Sequence, residues 1–181
     1  SLVMANDLIA TKIDDIQKEA DTINPDYLIV DTPGQIELFA YRQSGPFFVN
    51  EFIAEEKMNL FLFDGTMVST PENFVSLTLL STSIRLRLGL PTVNVITKTD
   101  LIQEKLEKVL RWSGTDSQLE ADLAGEVNGD TFSLISDMLS SLNRHDFQQD
   151  LIPVSNATGD GMVNLQSALS RTINLGEEIE D

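Results

Sequence analysis

The sequence predicts an α/β layered fold built on a mostly parallel sheet. Four short, continuous apolar runs carry that expectation: Tyr27–Val30, Leu60–Phe63, Thr92–Ile96 and Leu151–Val154. Runs that do not alternate polar with apolar suit strands buried on both faces, as in a parallel sheet. Helix-periodic stretches fill the gaps, and strand–helix alternation implies right-handed crossovers. Each run also ends at a polar or glycine-containing cluster, where ligands sit in such sheets, outside the carboxyl ends of the strands.

In chain order, Val3, Met4, Leu8, Ile9, Ile13 and Ile16 recur at three- and four-residue spacing and predict an amphipathic helix ending before Pro25. Ser69-Thr-Pro-Glu72 reads as a capping box with Pro in the first turn, opening a helix that stops at Gly89. A helix is predicted from Leu101 to Trp112, and one or two more from Thr115 to Asn143, broken around Gly125 to Gly129. The last runs from Val163 to Ile173, and the acidic tail 177–181 is expected to fray. At 181 residues the chain is read as one domain, 1–181.

Composition excludes several classes of function. Twelve Lys and Arg against 29 Asp and Glu leave a net charge of −17, which repels phosphate backbones and argues against direct nucleic-acid binding. The chain has no cysteine and one histidine, excluding disulfides, thiolate metal sites and multi-histidine sites. No apolar run approaches the ~18 residues of a membrane span, and no basic-then-apolar leader opens the sequence. A soluble, cytoplasmic protein without a membrane partner is expected. Position 1 is Ser rather than Met, which suggests a piece of something longer.

The chemistry gathers at the strand ends. After Tyr27–Val30 comes Asp31-Thr-Pro-Gly34-Gln35. An Asp ending a strand, with Gly three residues on, suits a nucleotide γ-phosphate: the carboxylate holds Mg²⁺ through a water, and the Gly amide donates with no Cβ in the way. Gln35 then stands where an amide can orient an attacking water. The same residues also make an ordinary turn. After Thr92–Ile96 comes Thr97-Lys98-Thr-Asp100. A carboxylate at Asp100 can accept both the N1–H and the exocyclic amine of guanine, a pair that adenine does not offer. The Lys98 stem can lie along the base plane. The alternative is a solvated loop with Asp100 at a helix start. After Leu151–Val154 comes Ser155-Asn156-Ala157-Thr-Gly-Asp-Gly161, a small-residue loop able to place an N–H against guanine O6, or simply a glycine-rich turn. The three in this order form a joint pattern that single turns do not.

Tyr27-Leu-Ile-Val-Asp-Thr-Pro-Gly-Gln-Ile-Glu37 resembles the third guanine-nucleotide motif of the GPN-loop GTPases, Thr97-Lys-Thr-Asp100 their fourth and Val154–Gly161 their fifth. Leu60-Phe-Leu-Phe-Asp64-Gly65 fits the family's middle section. The resemblance implies a three-layer sheet of P-loop NTPase, or G-domain, type. It also implies a switch protein that binds and hydrolyses GTP with Mg²⁺. Asp31 would bind the metal and share the catalytic role with Gln35; Gly34, Thr97, Lys98, Asp100, Ser155, Asn156 and Ala157 would bind nucleotide. It implies a dimer, and for eukaryotic relatives a part in RNA polymerase assembly.

The sequence departs from the family in four respects. Thr97 stands where Asn is usual, and Asn156-Ala157 where Ala-Lys is usual. No Gly is followed by Lys, so there is no Gly-x-x-x-x-Gly-Lys-Ser/Thr phosphate loop, and Gly45-Pro46 is followed by Phe47 rather than Asn. The expectation is a G domain incomplete at its N-terminus, with the central phosphate-loop strand missing between the runs that end at Asp31 and Asp64. The chain alone should then bind GTP weakly or not at all, and a second copy or a complementing N-terminal segment would be its partner. The rivals are a nucleotide-free interaction module and an ATPase of the related parallel-sheet class. Among other residues, Glu37 reads as a loop acid, His145 as a surface residue at a helix end, and Trp112 as core. The cluster Phe47, Phe48, Val49, Phe52 and Ile53 reads either as core or as an interface helix.

Overall fold

The structure, a computed structural model, describes residues 2–32, 34–114, 118–144 and 151–177. It divides into two compact units, Ser1–Lys57 with Ile84–Leu90, and Met58–Ser83 with Pro91–Asp181.

The first unit is helical. Helix α1 (Leu2–Ile23) ends where Asn24 takes φ 45°, its N–H bonding Ala20 O at 2.8 Å. Asn tolerates that left-handed geometry, and Pro25 cannot extend a helix. Helices α2 (Ile36–Ala40) and α3 (Ser44–Glu51) approach so closely that a Cβ on Gly45 would overlap the Phe39 carbonyl. Gln17 of α1 clamps the backbone after α3, its Oε1 accepting from Ile53 N at 2.8 Å and its Nε2 donating to Ile53 O at 3.2 Å. Arg87 donates to Ala40 O and Tyr41 O at 3.2 and 3.1 Å, satisfying carbonyls at the end of α2. Phe48 and Phe52 are buried and stacked 5.3 Å apart, whereas Phe47 and Ile53 of the same cluster are exposed, so that cluster is part core and part surface.

One expected strand is not formed. Tyr27–Val30 lies outside the sheet, and its side chains face solvent, Tyr27 at 69% and Ile29 at 90% exposure. A strand exists only where a neighbour completes its ladder of hydrogen bonds. Among the described residues no segment does so for this run.

The second unit holds a three-stranded parallel sheet in the order β1-β2-β3: β1 (Asn59–Asp64), β2 (Thr92–Thr97) and β3 (Leu151–Pro153). The register pairs Phe61 with Asn94, Leu62 with Val95 and Val95 with Ile152. Central β2 is buried on both faces, as its continuous apolar run predicts. Val93 and Val95 pack with Val154, Ile152, and Leu165 and Leu169 of α8 (Met162–Glu177). On the opposite face, Asn94 accepts a 2.7 Å bond from Ser81 Oγ of α4 (Pro71–Leu88). The unit is therefore layered helix–sheet–helix. Edge strand β1 departs from the two-sided burial expected of it. Phe61 and Phe63 are buried, 5.0 Å apart edge to face, but Leu60 and Leu62 are exposed. Their register puts them on the face of Val93 and Val95, and α8 packs over β2 and β3.

The cap of α4 sits one residue later than the sequence suggests. Pro71 occupies the first helical position, which makes Thr70 the cap, and its Oγ1 accepts from Asn73 N at 3.4 Å. Ser69 Oγ instead donates to Thr66 O. Gly89, at φ 67°, closes the helix with its N–H on Arg85 O. Beyond β2 come a 3-10 turn (Thr99–Leu101), α5 (Gln103–Ser113), α6 (Gln118–Ala124) and α7 (Gly129–Arg144), with the helix break falling at the expected glycines. Trp112 is core, 1% exposed, with its ring 5.6 Å from Phe74 and its Nε1 donating to Asp122 at 2.8 Å. His145 and 178–181 lie outside the described residues, as does the side chain of Glu37.

Candidate nucleotide site

Three parallel strands end together at one edge of the second unit, and the loops leaving them are bonded to one another. Chain leaving β2 turns sharply: Lys98 adopts φ 56°, ψ 36°, the left-handed region that a side chain seldom enters. Leu101 N–H returns to Lys98 O at 3.0 Å, closing the short turn that carries Asp100. Thr99 N–H donates to Val154 O at 3.3 Å and Val154 N–H to Ile96 O at 2.8 Å, which ties this turn to the end of β3.

Asp100 is half-buried, and Ser155 Oγ donates to its Oδ1 at 2.5 Å. Ser155 itself is buried and fixed by its own loop. Its N–H meets Asp160 O at 3.0 Å, and its carbonyl accepts from Gly159 N at 2.8 Å. Its Oγ also accepts from Thr158 N at 3.3 Å. Asn156 and Ala157 stand exposed in that turn. Gly161 permits the return into α8: it has φ 79°, and a Cβ there would overlap the Pro153 carbonyl.

The third loop leaves β1 at Asp64. Lys98 Nζ lies 2.7 Å from Asp64 Oδ2, while Oδ1 accepts from Thr66 N at 2.9 Å and Thr66 Oγ1 at 2.7 Å. The Lys98 hydrogen bond, followed by that of Thr66, lowers the Asp64 carboxyl to about 2. Gly65 N–H donates to Thr97 O at 3.0 Å, and Thr97 Oγ1 donates to Phe63 O at 3.1 Å. Thr97 thus stitches β2 to β1 with its hydroxyl.

The structure therefore brings Thr97, Lys98, Asp100, Ser155, Asn156 and Ala157 to one sheet edge. Asp31, Gly34 and Gln35 belong to the first unit and are exposed there; Pro33 lies outside the described residues. Asp64 was not singled out for a role from the sequence, although it ends an apolar run as Asp31 does. Among the described residues no three His, Cys, Asp or Glu gather around a point that could hold a metal. A nucleotide-borne Mg²⁺ needs no such cage, since it takes one or two carboxylates beside phosphates and waters, and the exposed oxygens of Asp31 suit that donor set.

Residues 1–175 match a family model described as "Conserved hypothetical ATP binding protein". The chain is 27% identical to GPN-loop GTPase 1 of Saccharomyces cerevisiae over 96% of its own length and 48% of that protein's. It is 32% identical to GPN-loop GTPase QQT2 of Arabidopsis thaliana over 86% of its length and 41% of the relative's. It thus spans about half of these curated relatives. Its fold is similar to that of a crystal structure titled as a GTPase in apo form from Pyrococcus abyssi. The TM-score is 0.79 at 21% identity, covering 94% of this chain and 68% of that one.

Proposed function

From the premise that the chain belongs to the GPN-loop GTPase family, we propose that it supplies the guanine-reading half of a GTP-binding and hydrolysing switch protein. The observation that carries this reading is Asp100 held by buried Ser155 beside Lys98, at the carboxyl edge of a parallel sheet. The Asp100 carboxylate accepts N1–H and the exocyclic amine of guanine, and a backbone N–H of the Ser155–Ala157 loop meets O6. Adenine presents the opposite pattern at both places, so the contacts select the base. The Lys98 stem lies along the base plane while its ammonium stays on the Asp64 carboxylate.

In the complete protein, Asp31 would hold Mg²⁺, Gly34 would donate its amide to the γ-phosphate, and Gln35 would orient the attacking water. When bound, the metal neutralises charge on the phosphate oxygens. Turnover of GTP to GDP would then toggle a dimer. This sequence holds no Gly-Lys step and hence no phosphate loop, the element that supplies a row of N–H donors and a Lys to the triphosphate. Base contacts alone give affinities on the order of millimolar.

Calorimetry with GTP, GDP and ATP on the full-length protein and on this 181-residue chain tests the reading. The full-length protein should bind guanine nucleotides in the micromolar range with ATP failing to compete, and the chain alone should bind far more weakly. Equal competition by ATP would sink the base assignment. Micromolar GTP binding by the chain alone would sink the division of labour.

A further inference from the structure

We infer that Asp64 is a positioning residue for guanine-nucleotide binding and acts through Lys98; the inference rests on the guanine reading above. Asp64 and Lys98 are 34 positions apart, on different strands, yet their charged atoms meet at 2.7 Å. The carboxylate is not free to turn toward another partner. Its second oxygen is held twice by Thr66, through N–H and Oγ1. The turn carrying it is pressed against the exit of β2, because an ideal Cβ on Gly65 would lie 2.6 Å from Thr97 O. A fixed carboxylate thus faces a lysine whose own backbone is strained.

That strain gives the pair its consequence. A non-glycine residue in the left-handed region relaxes unless its surroundings hold it there. Lys98 is the hinge on which β2 turns into the Thr99–Leu101 turn, and Asp100 lies two residues beyond it. Fixing the Lys98 ammonium at the end of β1 therefore helps set where the Asp100 carboxylate points. Asp64 touches no nucleotide atom in this account. It prepares the loop that does, and it pairs with the lysine charge that sits beside the base.

The test is a double-mutant cycle on the full-length protein, read by titration with a fluorescent guanine nucleotide, GDP and GTP in turn. Asp64→Asn should weaken both by about tenfold, the scale of one charge-assisted hydrogen bond. Lys98→Met should weaken both, and the double variant should be no worse than Lys98→Met alone, because the two act in series. Asp64→Glu should restore part of the loss. If Asp64→Asn does not fold, Thr66→Val, which removes one of the two hydrogen bonds on the second carboxylate oxygen, should still weaken both nucleotides. Wild-type affinity in these variants, additive losses in the cycle, or no recovery with Glu would each overturn the inference and leave the guanine reading standing. No guanine-nucleotide binding by the wild type would overturn both.

Discussion

Ser155 Oγ and Asp100 Oδ1 are 2.5 Å apart, although 55 residues separate them in sequence. A hydroxyl that is itself buried donates to one oxygen of a half-exposed carboxylate, so the carboxylate plane is set before any ligand arrives. Each carboxylate oxygen can accept more than one hydrogen bond, and the serine bond leaves capacity for a base. Replacing Ser155 by Ala should therefore loosen the carboxylate without removing it. The expected loss is about 1.5–3 kcal/mol of guanine-nucleotide affinity, the range for hydrogen bonds to charged groups. Titration of the full-length protein should show GTP and GDP affected alike.

Asp100→Ala should sharply reduce the preference for guanine over adenine nucleotides, removing both carboxylate acceptors at once and leaving only the loop N–H on O6 to discriminate. Asp100→Asn makes a sharper test, since it exchanges one acceptor for a donor. A purine with a carbonyl at position 2, as in xanthine nucleotides, would then be matched and guanine mismatched. Competition between GDP and XDP should invert in the variant, by about a hundredfold or more if two contacts change sign. Unchanged selectivity would mean that the base is read elsewhere.

The loops that gather at the sheet edge were legible in the sequence because their signals are local: an apolar run, then a carboxylate or small residues at fixed offset. β2 and β3 formed where those runs predict, and Trp112 went to the core. Tyr27–Val30 misled because apolarity reports a wish for burial and says nothing about which neighbour supplies the ladder. Leu60 and Leu62 misled for a related reason, since cover on a sheet face depends on where α8 packs, a tertiary fact. Asp64 escaped notice because its partner Lys98 lies a whole strand–helix–strand unit away. Such pairings follow from parallel register, which no short window of sequence contains.

Gly159 and Gly161 both have positive φ, at 81° and 79°, but they should respond differently to Ala. Open space surrounds the missing Cβ of Gly159, so Gly159→Ala carries the left-handed penalty alone, about 1 kcal/mol. At Gly161 the methyl would also collide with the Pro153 carbonyl at the end of β3. Backbone must move there, and Gly161→Ala should cost about 2–4 kcal/mol. Denaturant melts of the two variants give the comparison directly, and equal midpoints would show that the loop yields without cost.

The pair between Asp64 and Lys98 also predicts a pH dependence whose sign is fixed by its direction. The carboxyl is lowered from 3.8 to about 2 in the folded protein, first by the lysine hydrogen bond and then by Thr66. A depressed carboxyl binds fewer protons folded than unfolded. Its contribution is therefore fully present above pH 4 and is lost as the pH falls through about 2. Because the Lys98 side chain is 56% exposed, solvent screening limits that contribution to about 1 kcal/mol. Asp64→Asn should lack it at every pH. Wild type should then be the more stable of the two at pH 6, and the gap should close toward pH 2. Other acids titrate in both proteins, so the difference between their urea midpoints isolates this one carboxyl. A gap that persists unchanged to pH 2 would place the stabilisation in packing rather than in the bonds that the ionised carboxylate makes to Lys98 and Thr66.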